Sequence, residues 1–279
     1  MAGPEDSVIS LEYRGRVALL TIDNERKLNA LSQPQYYDLA QKLREIATHD
    51  EVFVTVLTDS QGALLFRVTD VSIARASPGA SPGASPDAHK HWLQSFVAFN
   101  LNTTQAFYSH PKILVVGLNG PVVGLSAALI SFADFIYAAP SAFLLTPFSS
   151  LGLVAEGGAS RALVQRLGVG KANEALIMSR RIPAAELLHA GFVNRIFDTA
   201  EGGDARFREL LLREVDERLG EHLIGESLTG IKALIRRPEI EIMDRQNSLE
   251  VFAGLERFMK GVPQEEFRKI ASGEKRHKL

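Results

Sequence analysis

The stretch from Pro111 to Gly158 constrains this chain most. It opens PKILVVGLNGPVVGLSAALI (111–130) and closes FLLTPFSSLGLVAEGG (143–158). Ile113 to Val116 is a short, β-branched, apolar run and reads as a buried strand. Gly117 to Gly124 holds three glycines, an Asn and a Pro, so the chain turns there. Leu125 to Ala133 is apolar on every side and reads as a buried helix. A strand, a Gly-rich turn and a helix together leave unpaired backbone N–H groups at the helix start. Such groups bind an anion, or an oxygen that becomes anionic during a reaction. Glu156 then stands between the apolar run 151–155 and Gly157-Gly158. Its apolar neighbours should raise its pKa toward neutrality, as suits a group that takes and returns a proton. The competing reading is a Glu that caps the helix beginning at Ser160.

The chain has 279 residues, enough for a full core. A net charge of −2 gives no general electrostatic case for nucleic acid or membrane. The absence of cysteine excludes disulfides, thiolate metal sites and cysteine nucleophiles. His89 and His91 read as a solvated pair, not metal ligands, and no stretch is long and apolar enough for a membrane helix.

Runs 8–13 and 17–22 flank Arg14-Gly15-Arg16 and predict a hairpin. Gln33 to Ile46 predicts a helix with Ser32 at its N-cap and Pro34 in its first turn. Val52 to Thr58 alternates as a strand, so strand, helix, strand makes a βαβ unit. Further helices are expected over 90–108, 160–167, 172–178 and 184–190, and further strands over 135–138, 143–145 and 192–197. Gly202-Gly203 sits in a polar linker. Beyond it, 206–219, 223–236, 247–259 and 265–270 read as helices. SPGASPGASP (77–86) is a low-complexity repeat and reads as a surface loop.

NGPVVGLSAAL followed by LGLVAEGGASRAL resembles the crotonase family, the enoyl-CoA hydratases and isomerases, and within it the fungal peroxisomal Δ3,Δ2-enoyl-CoA isomerases. The resemblance implies an α/β fold: a crotonase-like ββα spiral core over residues 1–200, with the coenzyme A and acyl site, and a helical oligomerisation region over 201–279. It implies Glu156 as catalytic acid and base, and the backbone N–H groups of Thr69 and Leu125 as the oxyanion hole. It places Lys27, Leu28 and Ala30 against coenzyme A. It implies an acyl-CoA substrate, no cofactor beyond the coenzyme A that the substrate carries, and a homotrimer or hexamer.

Three departures and signals refine this. Arg67-Val68-Thr69-Asp70 stands where the family has Ser-Gly-Ala-Asp, and Val68 does not readily take the φ open to glycine. That predicts a loop poorly ordered, or displaced from family geometry, without ligand. Ala128 and Phe148 stand where the hydratases of the family carry their two glutamates, which argues against water addition. Asn102 and Asn119 are polar candidates for the site. The chain ends His277-Lys278-Leu279, a variant of the Ser-Lys-Leu address read by the peroxisomal import receptor. Two alternatives stay open at this point: another crotonase-type acyl-CoA reaction, or a coenzyme A binder without catalysis.

Overall fold

The computed structural model describes residues 8–60, 86–199 and 203–276. The Arg67–Asp70 loop, with Thr69, the body of the Ser-Pro-Gly-Ala repeat and the terminal His277-Lys278-Leu279 lie outside the described residues.

Strands β1 (Ile9–Arg14) and β2 (Val17–Ile22) form the expected antiparallel hairpin, with Arg14 opposite Val17. Helix α1 (Gln33–Ala47) then crosses to β3 (Val54–Asp59), which lies parallel to β2. At the start of α1 the Ser32 N–H donates to the Gln35 side chain at 2.8 Å, and Pro34 sits in the first turn. That satisfies a donor the helix cannot. A second crossover consists of α2 (Pro86–Trp92), a π-helical turn (Leu93–Ala98) and α3 (Phe99–Tyr108). It leads to β4 (Ile113–Leu118). Strands β6 (Phe135–Ala138) and β9 (Arg195–Ile196) complete a six-stranded sheet in the order β1-β2-β3-β4-β6-β9. Every residue of β3 and β4 is buried, as parallel strands covered on both faces must be. A small second sheet joins β5 (Val122–Val123), β7 (Phe143–Leu145) and β8 (Ile182–Pro183).

Alternation along the strands divides two cores. Leu20, Leu57, Leu114 and Val116 face the side of α1 and α3, where Leu39, Leu43 and Phe107 meet them. Leu19, Val54, Val56, Ile113 and Val115 face the opposite side, covered by Phe207, Leu211 and Val215 of α7 (Gly203–Leu219). Gly117 permits that cover, because a Cβ there would lie 2.4 Å from Leu211.

Short α4 (Leu125–Leu129) follows β5, and α5 (Ala159–Leu176) follows the Glu156 turn. Gly168, with φ +73°, breaks α5 between the two helices the sequence predicts. Helix α6 (Ala184–His189) precedes β9. The last third differs from expectation in one respect: 223–236 and 247–259 belong to one 35-residue helix, α8 (Gly225–Met259), which runs through Pro238. Proline removes a single helical hydrogen bond there, and ion pairs hold the helix on either side. Lys232 and Arg236 bind Asp134 at 2.7 and 3.0 Å, and Arg161 binds Glu239 at 3.0 Å. Helix α9 (Val262–Ala271) closes the chain against the 149–151 turn. Among the described residues, no helix is long and apolar enough to cross a membrane.

Candidate active site

The two ends of the sequence's central stretch meet in space. Gly124, with φ +68° and ψ −132°, turns β5 into α4, and its N–H is held by the Leu145 carbonyl at 2.8 Å. That backbone favours glycine. Leu125 is therefore the first helical residue, and its N–H has no acceptor within the helix. The second end is the turn of Glu156, Gly157 and Gly158, where both glycines have positive φ. A Cβ on Gly157 would lie 2.8 Å from both Ala128 and Leu125. Glycine is what lets the Glu156 turn press against the start of α4.

Leu125 and Glu156 line one pocket. Its other walls are mostly aromatic. Trp92 and Phe258 stack with ring centroids 4.3 Å apart, and Phe96 lies 4.7 Å from Phe258. Tyr36 meets Phe99 edge-on at 5.7 Å. Phe96 comes from the π-helical turn and Phe99 opens α3 three residues later, and both line the cavity. Gly254 of α8 makes room, since a Cβ there would lie 2.6 Å from the Phe96 ring. The result is an apolar slot with one carboxylate in its wall.

Glu156 is 7% exposed. Burial pushes its carboxyl up to about 8; the charge of Glu250 adds to this and a hydrogen bond from Asn100 opposes it. That bond runs from Asn100 Nδ2 to Glu156 Oε2 at 3.0 Å, and the Thr104 hydroxyl donates to Asn100 Oδ1 at 3.2 Å. A carboxyl set near neutrality can both accept and return a proton. Glu156 does not cap α5. Glu250 takes that place, accepting from the Gly158 N–H at 2.7 Å and the Ser160 N–H at 2.8 Å.

The remaining expected residues distribute as follows. Lys27 and Leu28 are exposed on a loop beside the pocket wall, Ala30 is half-buried, and Leu31 next to it lines the pocket. Leu28 and Asn29 have φ +51° and +57°, a shape fixed by two bonds from Asn24 at 2.8 Å or less. One is the Asn24 N–H to Asn29 Oδ1, the other Asn24 Nδ2 to the Ala30 carbonyl. Asn102 and Asn119 are not at the site: Asn102 accepts from Arg44, and Asn119 donates to Asp204. Asn100 occupies the role instead. It lies four residues after Phe96 and seven before Phe107, on the buried face of the helix. That spacing was the available signal. Ala128 and Phe148 are fully buried, and Glu156 is the carboxylate that lines the pocket among the described residues.

Comparison with known proteins gives this arrangement a place. A family model described as enoyl-CoA hydratase/isomerase matches residues 12–208.

The chain belongs to the enoyl-CoA hydratase/isomerase family.

Relatives cover it nearly end to end. It is 68% identical over 278 residues to the Delta(3,5)-Delta(2,4)-dienoyl-CoA isomerase of Pyricularia oryzae, covering 98% of this chain and 99% of that one. It is 29% identical to the 3,2-trans-enoyl-CoA isomerase of Saccharomyces cerevisiae, over 99% of this chain and 98% of that one. The structure of OdaA from Pseudomonas aeruginosa superposes with a TM-score of 0.79 at 23% identity, over 95% of this chain and 99% of that one. The fold is thus that of the hydratase/isomerase family, with the helical C-terminal part that the sequence predicts.

Proposed function

We propose that the protein is an enoyl-CoA isomerase of fatty-acid β-oxidation that moves a double bond of an acyl-CoA from C3 to C2. The observation that carries this is Glu156, the one carboxylate among the described residues that line an aromatic-walled pocket, which Leu125 at the start of α4 also lines. Glu156 removes a proton from C2. The electron pair moves into the thioester, giving a dienolate with its negative charge on the carbonyl oxygen. The N–H groups of Leu125 and Thr69 stabilise that oxygen, and each such donor contributes about 3 kcal/mol. Glu156 then returns the proton at C4, and the double bond is left between C2 and C3. No oxidant, metal or water is consumed, and the only coenzyme is the one the substrate carries.

Lys27, Leu28 and Ala30 hold the coenzyme A moiety. Their loop stands next to Leu31, so it borders the same pocket. We place the enzyme in the peroxisome, carried by an import receptor that reads His277-Lys278-Leu279, and we expect a homotrimer or hexamer.

A second reading has a specific observation behind it, the dienoyl-CoA isomerase name of the Pyricularia oryzae relative. That reaction moves a proton from C2 to C6. One carboxylate reaches C2 and C4 without moving, because a single carbon separates them. C2 and C6 are three carbons apart, which favours two carboxylates. Among the described residues the pocket is lined by one carboxylate, which favours the 3-enoyl substrate. The test is turnover of trans-3-enoyl-CoA against 3,5-dienoyl-CoA by the purified protein. The account expects a higher kcat/KM for the 3-enoyl thioester. Turnover of the dienoyl substrate alone selects the second reading, and turnover of neither removes both.

A further inference from the structure

Two carboxylates are buried close to one another near the α5 N-terminus, and the mechanism above uses only one. Glu250 is on α8, 5% exposed, and ninety-two residues away in sequence from the Gly158 it binds. One of its oxygens accepts from the Gly158 N–H at 2.7 Å. The other accepts from the Ser160 N–H at 2.8 Å and from the Ser160 hydroxyl at 2.5 Å. Gln246, one helical turn earlier on α8, donates to Ser160 Oγ at 2.7 Å. This leaves the hydroxyl proton of Ser160 to point at Glu250. Three donors converge on Glu250, which therefore acts as an acceptor alone, as an ionised carboxylate does.

We propose that Glu250 is a positioning residue for the catalytic base: its carboxylate anchors the Glu156 turn to α8, and its charge repels the ionised form of Glu156. The assignment rests on Glu156 being the base of the reaction proposed above.

The geometry supports both halves. Gly158 is only two residues from Glu156, so a bond to its N–H fixes the turn that aims the base. The turn is wedged from the same side by Met243 of α8, since a Cβ on Gly158 would lie 2.8 Å from Met243 and 2.6 Å from Phe132. Leu125 and Ala128 of α4 press on Gly157. The base is thus set between the oxyanion helix α4 and the C-terminal helix α8. Electrostatically, three donors favour the charge on Glu250, whereas Glu156 has one donor, Asn100. When two neighbouring carboxyls differ in this way, the one with more hydrogen-bond donors ionises first and the other is held protonated to higher pH. The titratable groups acting on Glu156 among the described residues are Glu250 from α8 and the Tyr36 hydroxyl from α1; the contact from α3, Asn100, is neutral. For Glu250, burial pushes its carboxyl up, and the Ser160 hydroxyl with the Ser160 and Gly158 N–H groups opposes that; no cation is among the groups that act.

The test is the titration of the Glu156 side-chain carboxyl by carbon-13 NMR, its signal assigned by its loss in Glu156→Gln. Native protein is compared with Glu250→Gln and Ser160→Ala. Glu250→Gln is expected to move the Glu156 midpoint down by about half a pH unit or more. Ser160→Ala, which removes a donor and leaves the carboxylate, is expected to move it down by less. In kinetics, the acid limb of kcat/KM for trans-3-enoyl-CoA follows the same shifts, and kcat falls more than KM changes. A Glu156 midpoint unmoved in both variants, with only the melting temperature lowered, overturns the proposal and leaves Glu250 a helix cap. If Glu250→Gln does not fold, Ser160→Ala decides alone. Because the titration needs no substrate, a shifted midpoint in a protein inactive on the 3-enoyl thioester keeps this inference and removes the proposed reaction.

Discussion

Folding favours the protonated form of Glu156 and disfavours its charge. Its carboxyl titrates near 8 in the folded protein against an ordinary value of 4.5, first because it is buried and then because Glu250 is close. The folded state therefore binds this proton more tightly than the unfolded state does. Its contribution is favourable below about pH 4.5 and is progressively lost as pH rises toward 8. Glu156→Gln keeps the shape and removes the titration. It should abolish isomerisation and raise stability by about 1–3 kcal/mol at pH 8, with little gain at pH 4.5. Urea unfolding at the two pH values reads this, and an unchanged or lower stability at pH 8 would contradict the buried charge. The residue was legible in sequence because a lone carboxylate followed an apolar run and preceded two glycines. Asn100 was harder to pick out, because FNLNTT offers two asparagines and only their phase against Phe96 and Phe107 decides which one faces inward. Glu250 was not legible: what marks it is a contact across about ninety residues.

At the scale of elements, two glycine-dependent joints set the site, and both were readable as turns. What sequence could not show is how closely helices press on them. Gly158 has φ +74°, and a Cβ there would meet Phe132 and Met243 below 3.0 Å. Gly158→Ala should therefore cost about 2–4 kcal/mol, combining backbone strain with overpacking. It should lower kcat even at temperatures where the variant is folded, because it displaces the turn of the base. Thermal unfolding and kcat at reduced temperature measure the two effects separately; native values for both would show that the joint has slack. The C-terminal helices illustrate the opposite failure. Pro238 is a sound sequence signal for a helix end, yet ion pairs to Asp134 and from Arg161 on either side carry α8 through it. Those partners lie far away in the chain, so no local pattern records them.

For the whole molecule, the chain folds its long helix α8 back over its own site. Phe258 lines the pocket and Leu255 is buried, while Leu249 and Phe252 on the same helix remain half-exposed. Leu249 and Phe252 are the surface on which we expect a neighbouring subunit, and sedimentation equilibrium reads the assembly. The proposed address His277-Lys278-Leu279 makes a separate prediction. Removing Lys278 and Leu279 should leave the purified enzyme's turnover unchanged and send the protein to the cytosol in cells that lack the full-length copy. Peroxisomal import of that truncated chain would show that the tail is not the signal. The central claim, that one buried carboxylate carries a proton from C2 to C4, is tested most directly by isotope. The native enzyme is given trans-3-enoyl-CoA carrying two deuteriums at C2, in ordinary water, and the 2-enoyl product is analysed at C4. The account predicts deuterium at C4 in a substantial fraction of early product, and no product from Glu156→Gln. Rapid turnover with only solvent hydrogen at C4, or turnover that survives Glu156→Gln, would contradict it.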